Sequence, residues 1–382
     1  MKNSKMSAIF SNQYEYNELF PLTNDRSLST LAFAGKYRVM DFPLSSIVNA
    51  GINNVYTLIN EGKVRSYFDH LGGGKEWGLD TINSYGYIDF YQKLMEKKSN
   101  GREYFSDIIE FLETTAYPYT VFIGNKMLGN FDLRSILHYH KENNNKVTAV
   151  FAQTDIHNLA PDDEMFILDS DNNVLGVQQL IDMQIQNKYN LSVNIYIADT
   201  DWVIEELKKA QLSREEIDLN RYLAKLAVKY RTTAYEYTGY LRNIFTIKNY
   251  YDANMDMLDS KLMSSLLSSN HRIITRIRNE VGTYFADGSN VTDSLLATGS
   301  RIYGKINHSI LSRRIIVEKD AEISGSILMS QDHIQEGAVI KNAILDKGVK
   351  VMPHIKIIGT PEKPIVIEKN SVIDVDMIRK AR

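Results

Sequence analysis

The last third of the chain repeats itself, and that repeat leaves few folds open. Four blocks of small, small, aliphatic, Leu character recur: Asp293-Ser-Leu-Leu296, His308-Ser-Ile-Leu311, Gly325-Ser-Ile-Leu328 and Asn342-Ala-Ile-Leu345. Their starts lie 15, 17 and 17 residues apart, and a looser copy, Asn370-Ser-Val-Ile373, follows. Isolated aliphatics sit between the blocks (Ile302, Ile316, Ile323, Ile334, Ile340), with glycines at turn positions such as Gly288, Gly304 and Gly337. No helical periodicity runs through this region. Three short flat strands per turn, at a period of about 18 residues, make a coil that buries its aliphatic row only against the next coil. This predicts a parallel β-helix. A β-sandwich also gives turn signals every 8–12 residues or so, but it does not demand one block at one place in every turn.

The first two-thirds has a different rhythm. Ile52–Ile59, Tyr119–Ile123, Val147–Ala152 and Val193–Ala198 are short runs rich in β-branched and aromatic residues. Between them lie helical patterns: Glu61–His70, Leu133–Lys141 with Leu133, Ile136, Leu137 and His140 on one face, and a helix opened by Asp199 as N-cap. Alternation of this kind predicts an α/β layer fold with a mainly parallel sheet, whose ligands bind at the carboxyl ends of the strands. The expected organisation is an α/β domain over 1–265, a linker over 266–280 and the β-helix over 281–382.

Composition narrows the function. With 44 basic against 47 acidic side chains, the net charge of −3 supplies no footprint for a nucleic acid. The absence of Cys removes thiol catalysis, disulfides and Cys-ligated zinc. The N-terminal apolar stretch Ala8-Ile9-Phe10 is too short for a signal peptide, and no apolar run approaches the roughly 18–20 residues of a membrane span. A cytoplasmic protein that touches no membrane is expected.

Residues 35–51 read GKYRVMDFPLSSIVNAG, followed far downstream by Ser192-Val-Asn-Ile-Tyr196, Tyr240-Leu-Arg-Asn-Ile-Phe-Thr-Ile247 and Ala253-Asn-Met-Asp-Met-Leu258. These segments resemble ordered motifs of the glucose-1-phosphate adenylyltransferases (ADP-glucose pyrophosphorylases), and with the repeats the resemblance spans nearly the whole chain. It implies a Rossmann-like nucleotidyltransferase domain followed by a left-handed parallel β-helix of hexapeptide type, assembled as a tetramer. It also implies the reaction of ATP with glucose 1-phosphate to ADP-glucose and pyrophosphate in glycogen synthesis.

The departures fall on the chemistry. Where the family has a glycine-rich phosphate loop, this chain has Gln13-Tyr-Glu-Tyr-Asn-Glu-Leu-Phe-Pro-Leu-Thr23, with no glycine and with Glu15 and Glu18 facing the expected polyanion. The other glycine cluster, Gly72-Gly-Gly74-Lys75, lacks a strand-to-helix setting. Leu28 stands at the family's phosphate Lys, in Arg26-Ser27-Leu28-Ser29, and Asp25 at an activator-binding Lys. Leu180 stands at the sugar-phosphate Lys. Asn125 and Asn243 replace the two metal-binding Asp, and Mg²⁺ is a hard cation normally held by carboxylates. Ser192, Asn194, Tyr196 and Arg242 remain as a substrate-binding remnant. Arg26, Lys36, Arg38 and Lys341 are the candidates for an anionic effector, a sugar phosphate or nucleotide.

Groups that act as a unit fail as a unit. The pattern therefore resembles the non-catalytic GlgD-type members of the family. It implies a regulatory subunit without a cofactor of its own, in a hetero-tetramer with a catalytic subunit that holds the Mg²⁺, or in assemblies of its own copies. The alternatives are an active nucleotidyltransferase with a degenerate metal site, and an acyltransferase built on His308, His333 or His354 of the repeats.

Overall fold

The computed structural model describes residues 5–80, 85–180, 187–267 and 271–379. Two compact units do not follow chain order. One contains Met1–Tyr14, Met40–Asn243 and Ser269–Ile274; the other contains Glu15–Val39, Ile244–Ser268 and Thr275–Arg382. The division therefore differs from a simple boundary near residue 265. Within the expected linker, residues 268–270 lie outside the described residues. His271 and Ile274 are hydrogen-bonded to the first unit, through Asn130 Nδ2 (2.7 Å) and Ser45 Oγ (2.7 Å).

The first unit is built on one mixed sheet. Its strands run in the order Val174–Gln179, Glu164–Leu168, Tyr189–Asp199, Tyr119–Gly124, Met6–Asn12, Asn54–Ile59 and Tyr85–Phe90. The last four are mutually parallel. Tyr189–Asp199 turns antiparallel to Tyr119–Gly124, and Val147–Thr154 pairs with it antiparallel. Asn54–Ile59 is buried at every position, as a strand covered on both faces must be. The helix Leu133–Glu142 buries the expected Leu133, Ile136, Leu137 and His140. Its N-cap, Asp132, accepts from the backbone N–H of Arg134 and Ser135 at 3.0 and 3.3 Å. Asp199 precedes the helix Thr200–Ser213 but makes no capping bond. Its carboxylate instead meets Lys146 Nζ at 2.8 Å and His140 Nε2 at 3.3 Å.

In the second unit the repeats form a left-handed parallel β-helix of three parallel sheets. The first residue of each block is the corner: Asp293, His308, Gly325 and Asn342 all have φ between +45° and +55°. Gly, Asn and Asp reach that region at the least cost, which is why the block opens on small or polar residues. The second residue makes a ladder. Ser294 Oγ accepts from the Ser309 N–H, Ser309 Oγ from the Ser326 N–H, and Ser326 Oγ from the Ala343 N–H, at 3.1, 3.1 and 3.2 Å. The fourth residue points inward, so that Leu311, Leu328 and Leu345 stack in a fully buried row. The looser copy belongs elsewhere. Asn370 is also a left-handed corner, but it leads into Val372–Ile373, which pairs with Lys350–Val351 on a different face. The stack on Leu345 continues instead through Ile367.

Residues 15–39 and the helix Ile247–Met255 lie against this β-helix within the same unit. The third residues of the blocks, Ile310, Ile327 and Ile344, are accordingly buried although they are not part of the interior stack. A Cβ on Gly35 would meet the Leu311 carbonyl at 3.0 Å, and Gly35 has φ +69°. Both facts demand glycine there, within the segment that carries the family resemblance. Tyr251 Oη donates to the Gly325 carbonyl at 2.6 Å, and Tyr250 Oη to that of Ala32 at 2.6 Å.

Candidate functional site

The carboxyl end of Tyr119–Gly124 runs into Asn125, Lys126 and the short strand Met127–Leu128. That strand pairs antiparallel with Arg242–Asn243, placing Asn243 opposite Met127. The two Asn positions singled out above are thus brought to one place in the first unit, and both are fully buried.

Next to Asn125, and linked to Asn243 through the shared carboxylate of Asp163, stands a residue that the sequence reading passed over. Lys126 is 1% exposed, and its ammonium lies 2.5 Å from Asp163 Oδ1 and 3.7 Å from Asp162. Asp163, 2% exposed, also accepts from Asn243 Nδ2 at 2.6 Å and from the Ala160 N–H at 2.6 Å. Burial pulls the Lys126 pKa down, but Asp163, the Tyr14 phenol and Asp162 together hold it above the ordinary lysine value. The ammonium is therefore charged. Asp163 fixes the Asn243 amide with its nitrogen inward, so Asn243 Oδ1 is buried with no hydrogen-bond partner. The Asn243 N–H and Nδ2 are further held by Asn158, at 2.8 and 3.2 Å.

Tyr14, one of the tyrosines in place of loop glycines, covers this cluster. Lys126 Nζ sits 4.6 Å from its ring centroid, a cation–π geometry. Its Oη accepts from Asn220 Nδ2 at 2.7 Å. A Cβ on Gly124 would lie 3.8 Å from the Tyr14 ring and 3.1 Å from Asn194 Cβ, so these two side chains close over the strand end. Asn194 has φ +56° inside a bulge between Ser192 and Tyr196. That backbone explains why the family motif has glycine there and why Asn is a tolerated substitute. Ser192 Oγ and Tyr196 Oη hydrogen-bond each other at 3.0 Å, a pair turned into the fold. Glu164, next to Asp163, is pushed up to about 7 by burial and then by the Asp218 carboxylate.

The other positions are placed as follows. Leu28 is buried in a short 3-10 turn, and Leu180 packs half-buried on the apolar core; neither has a charge to offer a phosphate. Arg242 is half-buried on its short strand. Glu15 and Glu18 are exposed. Gly72 and Gly74 are left-handed turn residues between a helix and a 3-10 turn, not a phosphate cradle. His308 and His333 each pair with an acidic residue one coil earlier, Asp293 at 2.5 Å and Glu318 at 2.6 Å, while His354 is a left-handed corner against Gly337.

In the second unit Arg26 is buried, with Nη2 bidentate on Asp346 at 2.6 and 2.7 Å. Arg38 donates to the Thr30 carbonyl, and Lys36 is exposed with its ammonium 5.4 Å from the Tyr37 ring. Lys341 is exposed at the end of its strand. Lys347, missed in the sequence, is held below the ordinary lysine value by partial burial and then by Lys369, Arg38, Arg278 and Arg26. Lys347 and Lys369 stack in successive coils, the Asn370 N–H donating to the Lys347 carbonyl at 3.0 Å. Asp25 lies 3.5 Å from Lys369. The longer coil before Ile365 puts these two lysines 22 residues apart, off the 17-residue spacing of the preceding coils, so the repeat did not pair them.

Residues 17–161 match the nucleotidyl transferase family model, and residues 283–364 match the GlmU-like C-terminal hexapeptide model. The glycogen biosynthesis protein GlgD of Bacillus subtilis is 26% identical over 97% of this chain and 98% of its own length. The glucose-1-phosphate adenylyltransferase of Clostridioides difficile is 28% identical over 78% of each chain. That of Thermodesulfovibrio yellowstonii is 27% identical over 86% of this chain and 85% of its own. The chain is thus similar over nearly its whole length to GlgD, and over more than three quarters of it to glucose-1-phosphate adenylyltransferases.

The resemblance to glucose-1-phosphate adenylyltransferases implies a divalent metal held by positions 125 and 243, and the residues present do not fit one. Two neutral amides occupy those positions. The neighbouring carboxylate, Asp163, already receives an ammonium, an amide and a backbone N–H. Among the described residues no group of three or more His, Asp or Glu side chains is arranged to hold a metal ion. No helix among the described residues is long and apolar enough to cross a membrane.

Proposed function

We propose that this chain works in glycogen biosynthesis as a non-catalytic, regulatory subunit of glucose-1-phosphate adenylyltransferase. A catalytic relative makes ADP-glucose and holds the Mg²⁺; this chain joins it in a cytoplasmic hetero-tetramer and has no cofactor of its own. The observation that carries the reading is the buried Lys126–Asp163 pair with Asn243 at the place where the family's chemistry needs carboxylates and a metal. The end-to-end alignment with GlgD supports it.

A subunit without chemistry acts only through differential binding free energy between the states of its partner. Coupling of about 1–3 kcal/mol changes an affinity roughly 5–150-fold. The cations Arg38, Lys347, Lys369 and Arg278, with Lys36 and Lys341 exposed in the same unit, suit an anionic sugar phosphate or nucleotide effector. Arg26 contributes to that field while neutralised by Asp346.

The test is co-expression with a catalytic relative from the same organism, then turnover and effector titrations with and without this chain. Co-purification with shifted titration curves is expected, and the chain alone makes no ADP-glucose above background. Turnover by the chain alone within about tenfold of ~10 s⁻¹, the ordinary enzyme rate, overturns the non-catalytic reading. Superimposable curves overturn the regulatory reading, and failure to associate overturns the partner-subunit reading with it.

A further inference from the structure

Lys126 is an unusual residue to find buried. Lysine is almost never fully enclosed unless paired, and here the whole strand-end turn is organised around it. Asp163 takes its proton side at 2.5 Å, Asp162 stands at 3.7 Å, and Tyr14 roofs it with its ring face. Asn243 turns its amide nitrogen, the donor end, toward the same carboxylate. A divalent ion in this place would need oxygen donors and net negative charge. It would instead meet a fixed positive charge and a carboxylate whose oxygens are already shared among three donors. Asn243 Oδ1 is a buried acceptor without a hydrogen-bond partner, but one neutral oxygen does not make a magnesium site.

We propose that Lys126 is a resident cation that has taken the place of the divalent metal, so that its ammonium, and not merely the loss of Asp at 125 and 243, closes this site to Mg²⁺ and Mn²⁺. Restoring the two carboxylates alone then gives no metal site. The double variant Asn125→Asp/Asn243→Asp gains salt-bridge partners for Lys126 and still takes no divalent ion. Removal of the ammonium as well, in the triple variant with Lys126→Met, leaves Asp163 without its cation, in contact with the introduced carboxylate at 243 and on the same strand-end turn as the one at 125. That set has the charge and the oxygens a dication requires. This deepens the non-catalytic reading yet fails separately from it, because association with a catalytic relative and binding of a divalent ion are different measurements.

The experiment is a Mn²⁺ titration of the full-length protein, read by the electron paramagnetic resonance signal of free ion, with thermal unfolding in parallel. The wild-type chain and the double variant are expected to bind no Mn²⁺ at millimolar free ion, with unshifted unfolding temperatures. The triple variant is expected to bind one ion per chain and to be stabilised by it. Saturable binding to the wild type that is lost on Asp163→Asn overturns the proposal. So does binding to the double variant, and so does a folded triple variant that takes no ion. Should the triple variant fail to fold, the other two proteins decide: binding by either overturns the proposal, and absence of binding in both upholds it.

Discussion

In the β-helix, each polar side chain of the block bonds the same position one coil on: Ser294 to Ser309, Ser309 to Ser326, Ser326 to Ala343. In the cleft of the sheet unit, one carboxylate, Asp163, gathers Lys126 from 37 residues before it and Asn243 from 80 residues after it. Both regions satisfy buried polar groups, but they distribute the risk differently. The ladder spreads it over many equivalent neutral bonds, each worth about 1 kcal/mol net. The cleft concentrates it in a single charged pair shielded from water, where removal of one partner strands the other. A repeat tolerates local damage; the cleft is all or nothing.

The sharpest way to break this comparison is Lys126→Met. The substitution conserves much of the volume and leaves Asp163 as an unpaired buried carboxylate. It is expected to cost about 3–5 kcal/mol of stability, the range for a buried pair cut on one side. Asp163→Asn added to it is expected to recover a large part of that loss, because no buried charge remains. Urea unfolding of the two variants measures the difference. Equal stability of wild type and Lys126→Met would mean that the pair is reached by water, contrary to its burial.

The same contrast explains what could be read from the residues. The β-helix was legible because its partners lie at a fixed spacing, so that corners, ladder and interior row each recur in print. Only the irregular final turn misled, where Asn370 resembles a block opening but the coil between Gly359 and Ile365 is longer. In the sheet unit, strands and the helix Leu133–Glu142 were legible from burial patterns. Lys126 and Asp163 were not: a Lys after a Gly-Asn turn and an Asp in the acidic run Asp162-Asp163-Glu164 read as solvated surface. Only tertiary placement, 37 residues apart, makes them a buried pair. The positions of Asn125, Asn243 and Tyr14 came from family resemblance, and what fills the space between them did not. The units themselves cut across chain order, since Glu15–Val39 and Ile244–Ser268 pack with the repeats.

A smaller effect sharpens the electrostatic side of the comparison. Glu164 is pushed up to about 7 by burial and then by Asp218. An acid raised in the folded state costs nothing below its unfolded value of ~4.3, costs progressively more as pH rises toward 7, and a constant amount above that. The full cost is at most about 4 kcal/mol, at ~1.4 kcal/mol per pH unit. Glu164→Gln removes the ionisation. The variant is expected to gain on the wild type between pH 5 and 7 and to hold a constant lead above pH 7. Unfolding free energies at four pH values check this, and a difference that does not vary with pH would assign the effect to packing.

The mildest test falls on the ladder. Ser309→Ala removes the acceptor of the Ser326 N–H, bonded at 3.1 Å, and the hydroxyl that donates to the Asn307 carbonyl at 2.8 Å. The site is fully buried, so water cannot replace either bond without entering the coil. Yet position 343, two rungs further along the same row, is already Ala. The backbone therefore accommodates a rung without a hydroxyl, and the loss should be modest, about 1 kcal/mol. Ser326→Ala should cost about the same, and the double variant close to the sum, because each rung bonds mainly its own neighbours. Chemical unfolding of the three variants measures this. A double loss far above the sum would show the ladder acting as one cooperative unit, and would erase the contrast with the cleft.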